Sequence, residues 1–311
     1  MRDPINYFSI LNQDSSETVA YNNPLFPSYV TYGTLSYYPD YSAVSHWHKD
    51  LEFIIVKKGR MTYNVNGELI ELTKDNGIMV NSRQLHYGFS AEHNECEYIC
   101  ILLSPELLQG NEWFYRNYIE YITENSNCPY LCLDRSNWTE SILNAIEKLY
   151  HSFVTAHAKS LPYFESMEAF ILIMKILYEN LDFQIPQGTT DSSELTSLRS
   201  MMTYIEDHYM EHMTLADIAF SGACCKSRCS LLFKKYLRDT PITYTTKLRL
   251  RKSLSALLNS DKSITVIAYE YGFGGASYYC ETFKKYYGCS PLMYKRAKPP
   301  TRITLADGFD Q

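Results

Sequence analysis

ITVIAYEYGFGGASYYCETFKKYYGCSPLMYK, residues 264–295, repeats a pattern that the chain already carries once before. Each copy opens with a hydroxyl residue, passes through Ile-Ala, and reaches Phe-Lys-Lys-Tyr, a Thr/Ser-Pro pair and a final tyrosine. The copies begin at Thr214 and Ser263, an offset of 49, whereas Phe233 and Phe283 are 50 residues apart. One residue is therefore inserted in the second copy, and the repeat indicates a duplicated supersecondary unit.

Each copy predicts a helix, a tight turn and a second helix. Thr214 and Ser263 suit helix N-caps, because their side-chain oxygens can accept from the free amides of the first turn. Gly222 and Gly272 lie where the chain must turn, and glycine adopts positive φ readily. The small alanine after each isoleucine lets two helices cross closely, as in a helix-turn-helix. The rival interpretation is a pair of helical hairpins inside an all-α core.

The second copy resembles the second helix-turn-helix of AraC/XylS-type transcription regulators in its GF, SYY, FKK, G-x-SP and Tyr elements. The first copy is looser: Cys225 and Cys229 stand where that family usually has Ser and Leu, and Arg238-Asp239 replaces the usual glycine. The resemblance implies a regulator of transcription that binds specific double-stranded DNA and has RNA polymerase as a partner.

Helical spacing, counted from the buried Phe233 and Phe283, predicts which side chains of the two recognition helices face DNA. These helices are expected at residues 225–236 and 276–287, on either side of one continuous helix over 243–258. Leu231 and Glu281 stand where the family commonly has arginine. The predicted base-reading residues are Ser227, Arg228, Ser230, Leu231, Ala276, Ser277, Cys280 and Glu281, and the predicted phosphate contacts are Lys234, Lys235, Lys284 and Lys285.

Charge divides the chain into two parts. Residues 1–196 contain 12 basic residues against 25 acidic ones, a balance of −13, whereas residues 197–298 contain 16 against 8, a balance of +8. A basic region that coincides with the repeated helix-turn-helix is what a phosphate backbone would require. The whole-chain balance of −6 conceals this segregation.

The N-terminal part predicts a β-structure. Strands are expected at 52–56, 61–65, 68–72, 77–80 and 97–103, because these segments are rich in Tyr, Val, Ile and Phe. Asn66-Gly67 is a strong type I′ hairpin signal. Many short strands separated by turns indicate a sandwich or small barrel.

His46, His48, Glu52 and Gly59 follow the spacing H-x-H-x3-E-x6-G, and His86 comes later. This arrangement resembles the first cupin motif, and the sensor domains of AraC-type regulators are cupin-like. Three imidazoles and a carboxylate could hold a transition metal, hydrogen-bond a polar organic ligand, or form a structural network. We favour an effector such as a sugar and expect no metal or other cofactor. The expected effector-binding residues are His46, His48, Glu52, Arg83, His86 and Tyr98.

Two amphipathic stripes follow the strands and are compatible with a helical interface between two copies of the chain. One contains Ile142, Ile146, Leu149 and Phe153, and the other contains Met167, Ile171, Met174, Tyr178 and Leu181. The family resemblance favours a homodimer. The expected domains are an effector-sensing and dimerisation domain at 1–183, a linker at 184–194, a DNA-binding domain at 195–298 and a tail at 299–311.

The predicted fold class is α+β, with a cupin-like β-barrel, a helical dimerisation segment and an all-α domain of two helix-turn-helix motifs joined by a linking helix. No stretch approaches the ~20 apolar residues of a membrane span, and the start lacks the apolar core of a secretory signal. We therefore expect a cytoplasmic protein. The repeated basic region carries no set of nucleophile, base and orienting residue, no phosphate loop and no paired-carboxylate motif, so we expect no enzyme. The alternative is a metal-dependent cupin enzyme fused to a DNA-binding module.

Overall fold

The computed structural model describes residues 10–12, 16–125, 127–155, 162–181 and 192–297. Within them the chain forms a β-sheet unit, mainly residues 18–36 and 47–181, and a helical unit, mainly residues 192–297. This organisation confirms the predicted α+β class. In these ranges no helix is both long and apolar enough to cross a membrane.

Two predicted segments fall largely outside the described residues. The predicted tail, 299–311, lies wholly outside them, and so does most of the predicted linker, 184–194. The last three linker residues, 192–194, instead begin the first helix of the helical unit.

The described residues contain nine strands. Seven of them form one connected antiparallel sheet in the β-sheet unit, and the first two pair separately. The strands are β1 (Ile10–Leu11), β2 (Glu17–Thr18), β3 (Ser28–Thr34), β4 (Leu51–Val65), β5 (Glu68–Thr73), β6 (Gly77–Val80), β7 (His86–Phe89), β8 (Cys96–Leu103) and β9 (Tyr130–Leu133).

The long strand β4 holds the sheet together. Its first half pairs with β6 and β8, and its second half pairs with β5 and β7. The register shifts between Val56 and Lys58, and Gly59 follows with φ 78°. A Cβ on Gly59 would lie 2.0 Å from the Glu95 carbonyl oxygen, so only glycine fits this bend. One strand can therefore change partners along its length and fold the sheet over.

The prediction of separate strands at 52–56 and 61–65 is wrong, because both segments belong to β4. Glycine at a bulge bends a strand without ending it. The predicted strands also do not include β1, β2, β3, β7 and β9. The hairpin at Asn66-Gly67 is confirmed: the two residues have φ of 50° and 86°, as a type I′ turn requires.

Short helical segments follow β8, and two long helices follow β9. These elements are a 3-10 turn (Pro105–Leu108), α1 (Glu112–Phe114), a π-helical turn (Tyr115–Ile119), α2 (Glu120–Thr123), α3 (Glu140–Thr155) and α4 (Tyr163–Asn180). The whole apolar stripe of α3 is buried in the core of its own unit. On α4, by contrast, Ile171 and Tyr178 remain exposed.

Seven helices form the helical unit and confirm the two helix-turn-helix motifs. They are α5 (Ser192–His208), α6 (Leu215–Ser221), α7 (Lys226–Leu237), α8 (Pro241–Asn259), α9 (Ile264–Glu270), α10 (Ala276–Tyr287) and α11 (Pro291–Ala297). Thr214 and Ser263 cap α6 and α9 as predicted, accepting from the amides of Asp217 and Val266. Phe233 and Phe283 are fully buried.

The inserted residue of the second copy is Gly274. Ala223 and Gly272 share the left-handed conformation at an offset of 49, whereas Cys225 and Gly275 precede α7 and α10 at an offset of 50. The prediction of positive φ at Gly222 is therefore wrong, since its φ is −90°. Glycine is required there for close approach: a Cβ would lie 2.6 Å from Cγ of Met201.

Candidate DNA interface and effector site

Most of the α7 residues that were predicted to read bases lie on the solvent-facing side of that helix. Ser227, Arg228 and Leu231 are exposed, and Ser230 is half-buried. Leu231 exposes 62% of its surface, although Leu232 and Leu237 on the same helix are buried. The core of the unit therefore does not account for the leucine at position 231.

On α10, two of the four residues predicted to read bases are exposed and two are half-buried. Ser277 and Glu281 are exposed, whereas Ala276 and Cys280 are half-buried. The structure adds Tyr278, which exposes 52% of its surface on the same side. Sequence reasoning missed Tyr278, although the offset of 50 from Arg228 could have identified it.

The exposed residues of the two helices correspond at a constant offset of 50. The matching pairs are Ser227 and Ser277, Arg228 and Tyr278, Leu231 and Glu281, Lys234 and Lys284, and Lys235 and Lys285. The four lysines all remain exposed at the C-terminal end of their helices. The copies thus share the position of the exposed face and differ in its chemistry.

A carboxylate outside the repeats contacts the first recognition helix. Glu194 of α5 pairs with Arg228 and lies 2.9 Å from Nζ of Lys235. Hydrogen bonding from Lys235 holds the pKa of Glu194 below its ordinary value. Sequence reasoning missed this pairing, because Glu194 is 34 residues from Arg228 and carries no local pattern that points to it.

In the β-sheet unit, two imidazoles flank one carboxylate. Nε2 of His48 lies 3.6 Å from Oε2 of Glu52, and Nε2 of His86 lies 3.5 Å from Oε1. All three side chains are buried, and the two imidazole rings meet edge to face at 4.9 Å. The change of partners along β4 explains the convergence, because it brings β7 and His86 beside the strand that carries Glu52.

Backbone carbonyls orient the histidine rings. Nδ1 of His48 lies 3.0 Å from the Asp50 carbonyl oxygen, and Nδ1 of His86 lies 2.8 Å from that of Gln84. A carbonyl oxygen only accepts, so each Nδ1 carries the proton and donates. In the neutral tautomer each Nε2 then presents a lone pair towards Glu52. Lone pairs that face a carboxylate repel it, so this arrangement favours a metal cation between them.

Glu52 is also the acceptor for a buried phenol, since the Tyr63 hydroxyl donates to Oε1. Burial raises the pKa of Glu52, but the adjacent imidazoles, His86 foremost, outweigh burial and hold it well below the ordinary value. Burial first, and then the Glu52 charge, raise the pKa of Tyr63 well above its usual range. The carboxylate is therefore ionised and the phenol neutral at physiological pH.

Of the other expected effector residues, His46 joins the cluster and Arg83 and Tyr98 do not. The ligand atoms of His46, His48, Glu52 and His86 all lie within 4.8 Å of one another. Arg83 does not join them: its guanidinium is 57% exposed and lies 3.6 Å from Glu124. Its backbone amide instead donates to the His48 carbonyl at 2.7 Å.

Tyr98 is buried against the backbone of Gly33, where any Cβ would meet its ring. Tyr98 therefore has a packing partner that the sequence did not suggest.

The residues of the cluster fit a divalent transition-metal ion. Imidazole and carboxylate ligands lie about 2.0–2.2 Å from such ions, so ligand atoms on opposite sides of one ion are about 4.4 Å apart. Nδ1 of His46 likewise faces a carbonyl oxygen, that of Val44 at 2.8 Å, but its Nε2 lies 3.1 Å from Oε2 of Glu17. Histidines that bind metals commonly donate their second nitrogen in this way. His46, His48, Glu52 and His86 would hold the ion, and an open position on it would bind an oxygen of a polar ligand.

Comparison with known proteins identifies both parts of the chain. Residues 28–163 match the AraC-like ligand binding domain, and residues 223–297 match a helix-turn-helix domain. YdeC of Bacillus subtilis (strain 168), described as an uncharacterized HTH-type transcriptional regulator, is 31% identical over 252 residues, which cover 81% of this chain and 85% of YdeC. The HTH-type transcriptional activator RhaS of Salmonella arizonae is 25% identical over 256 residues, covering 81% of this chain and 87% of RhaS.

Among solved structures, ToxT from Vibrio cholerae O395 covers 86% of this chain and 97% of its own length, at 14% identity and a TM-score of 0.39. The matched domains, the extent of the YdeC similarity and the two helix-turn-helix motifs lead to one conclusion. The chain belongs to the AraC family of HTH-type transcriptional regulators, with an N-terminal ligand-binding domain and a C-terminal helix-turn-helix DNA-binding domain.

Proposed function

We propose that this regulator binds its operator through α7 and α10 together, placed in two adjacent major grooves. The observation that carries the proposal is the constant offset between the exposed residues of the two helices. A shared exposed face on two recognition helices is what binding to one side of a duplex requires. The 19 residues of α8 span about 28 Å, which is comparable to the ~34 Å between successive major grooves.

The two helices carry different base-reading chemistry under this proposal. Arg228 donates and favours guanine, Glu281 accepts and favours cytosine N4, and Leu231 offers apolar contact to a thymine methyl group. Lys234, Lys235, Lys284 and Lys285 meet phosphates and add affinity without sequence preference. Ser227, Ser230, Ala276, Ser277 and Cys280 complete the set of predicted base contacts. DNA binding is assigned to residues 195–298.

The effector is assigned to the β-sheet unit, within residues 1–183. His46, His48, Glu52 and His86 supply hydrogen-bonding groups for a polar molecule such as a sugar, and Tyr98 and Arg83 border this region. RhaS is named as a transcriptional activator; by analogy, RNA polymerase is the proposed partner of the DNA-bound form. The cytoplasm, where the chromosome lies, is the proposed location.

A homodimer forms under this proposal through the exposed side of α4. Ile171 and Tyr178 are seven residues apart on that side, with Phe164 seven residues before Ile171, and all three are exposed. Three large apolar side chains at heptad spacing, facing water on an otherwise well-packed helix, are typical of a helix-helix interface. Burial of the remaining α4 stripe in the unit core leaves this side as the available one.

The charges on α4 favour an antiparallel partner. A two-fold axis near Ile171 would bring Phe164 against the partner's Tyr178 and Glu168 beside the partner's Lys175. Within one chain these charges already form exposed pairs, Glu168 with Lys148 at 2.9 Å and Lys175 with Glu179 at 3.7 Å. Exposed pairs of this kind contribute little stability, so exchanging them across an interface costs little.

A second candidate for the β-sheet unit is metal-dependent chemistry. The orientation of the histidine rings, with each Nδ1 held by a carbonyl, favours it. A metal assay with the purified protein separates the two candidates: less than one equivalent supports a directly bound organic effector, and one equivalent that is lost in His46→Ala supports the metal.

Footprinting tests the leading proposal. The full chain is bound to a duplex selected from a random pool, and protection of guanine N7, a major-groove atom, from methylation is measured on both strands. We expect two protected major-groove faces about 10 base pairs apart on one side of the duplex. Protection of a single groove would overturn simultaneous binding by both helices.

A further inference from the structure

Glu194 lies in the first turn of α5 and accepts hydrogen bonds from three side chains of α7. Its Oε1 accepts from Nη2 of Arg228, and its Oε2 accepts from Nζ of Lys235 at 2.9 Å and from the Tyr236 hydroxyl at 2.8 Å. The Glu194 side chain is 18% exposed, whereas those of Arg228 and Lys235 are each 49% exposed. The carboxylate is thus largely covered while both cations keep contact with solvent.

Tyr236 anchors the carboxylate. Only 1% of its surface is exposed, so its hydroxyl approaches Glu194 from the core of the unit. Burial raises the pKa of Tyr236, with the Glu194 hydrogen bond as the next cause, and the phenol therefore stays protonated and donates. The hydrogen bond from the buried Tyr236 fixes the position of the Glu194 carboxylate. The fixed carboxylate in turn orients the guanidinium of Arg228, which is the more exposed of the two groups.

The geometry leaves the arginine able to read a base. A guanidinium has five N–H donors in one plane, and the Glu194 contact is recorded through Nη2. Other donors of the group remain for the two acceptors, O6 and N7, that guanine presents in the major groove. An arginine held in one plane loses less conformational entropy on binding than a mobile one. The same carboxylate reduces the positive charge of α7, which lowers attraction to any DNA sequence.

We propose that Glu194 is a positioning residue that orients Arg228 for guanine recognition by the first recognition helix. The inference rests on the proposed base-reading role of Arg228. It assigns α5, a helix that makes none of the proposed base contacts, a part in sequence discrimination. The second copy has Tyr278 at the position of Arg228, so the requirement for an orienting carboxylate applies to the first copy.

The test compares full-length variants in two assays. Base preference is measured by selection from a random duplex pool, and affinity for an unrelated duplex is measured at two salt concentrations. The variants are Glu194→Gln, Glu194→Asp, Arg228→Ala and the control Glu206→Gln. Glu206 lies on the same helix α5 and pairs with Lys252 of α8, so this control removes one acidic charge without touching α7. Thermal unfolding verifies that each variant is folded.

We expect Glu194→Gln to reduce the preference for guanine at the Arg228 position about tenfold, within the range of one good base contact. Affinity for the unrelated duplex should not fall, and should match that of Glu206→Gln. Glu194→Asp retains the charge on a shorter arm and should restore part of the preference. A purely structural role would lower affinity for all sequences alike.

Three outcomes would overturn the inference or its premise. If Arg228→Ala abolishes the guanine preference while Glu194→Gln leaves it intact, the positioning role of Glu194 is wrong. If Arg228→Ala leaves the preference unchanged, the proposed base-reading role of Arg228 is wrong and the inference fails with it. If Glu194→Gln raised the affinity for every sequence and left the base preference unaltered, Glu194 would only reduce the attraction to DNA through its charge. The positioning role would then also be wrong.

Discussion

Ala223 and Gly272 hold the same left-handed backbone conformation at equivalent points of the two helix-turn-helix motifs, with φ of 51° and 77°. Only the second site requires glycine for space as well. A Cβ at Gly272 would lie 2.7 Å from the Tyr209 carbonyl oxygen and 2.9 Å from Nε of Arg249. Arg249 itself donates to that carbonyl at 2.5 Å, so the added carbon would disturb a contact between α8 and the residue that follows α5.

The two turns should therefore respond differently to exchange of their residues. Gly272→Ala is expected to destabilise the protein by more than about 2 kcal/mol, because backbone strain and the clash combine. Ala223→Gly should change stability by less than about 1 kcal/mol, since relief of strain and the greater freedom of the unfolded chain oppose each other. Chemical denaturation measures both changes. Equal effects at the two sites would contradict this account of the turns.

The sequence predicted the helical unit well because each signal was local. N-caps, apolar spacing and the Phe-Lys-Lys elements lie within a few residues of the structure they determine, and α10 begins and ends where it was expected. The error arose where a residue other than glycine adopts positive φ. Ala223 and Arg238 both do so, and because positive φ is usual for glycine, the residue types indicate Gly222 rather than Ala223 as the turn residue.

In the β-sheet unit and in both candidate sites, the sequence indicated which residues take part better than it indicated which residues they contact. His48, Glu52 and His86 converge because β4 changes partners along its length, which brings β7 and His86 beside the strand of Glu52. The contacts of Arg83, Tyr63 and Glu194 join segments that are distant in the sequence. The Tyr63 hydroxyl donates to Glu52 within the bent strand β4, and although Gly59 at the bend belongs to the motif, the motif's spacing does not identify Tyr63 as a partner.

Glu281 on α10 offers a direct test of base reading. It is exposed, and a carboxylate in the major groove can only accept, most favourably from cytosine N4. Glu281→Ala is expected to relax base preference in one half-site by about 1–3 kcal/mol. Selection from a random duplex pool measures the effect. An unaltered selected motif would mean that Glu281 does not read a base.

Lys284 lies three residues further along α10 and should act differently. Lys284→Ala is expected to weaken binding to all sequences alike and to reduce the salt dependence of binding by about one phosphate contact. Titrations at several salt concentrations, with a specific and an unrelated duplex, measure both quantities. A selective loss for the specific duplex would assign Lys284 to base recognition.

The histidine-carboxylate cluster should bind a divalent transition-metal ion when one is supplied. Because its lone pairs converge on a buried carboxylate, Zn²⁺ or Mn²⁺ added to chelator-treated protein is expected to raise the melting temperature. At a hundred times the dissociation constant, the added stability would be about 2.7 kcal/mol. His86→Ala should abolish the shift, whereas His151→Ala, at an exposed position of α3, should retain it. No shift in the unmodified protein would show that the cluster does not bind these ions.

The proposed dimer makes a prediction that depends on pairs of residues. Ile171→Glu introduces a charge at the two-fold axis and is expected to convert dimers to monomers, whereas Leu69→Glu, an exposed apolar position on β5, should not. Glu168→Lys places like charges beside the partner's Lys175 and should weaken association. Adding Lys175→Glu restores opposite charges across an antiparallel interface and should recover it. Analytical ultracentrifugation measures each dissociation constant. If the double variant remained as weak as the single one, α4 would not pair antiparallel about Ile171, whatever the oligomeric state.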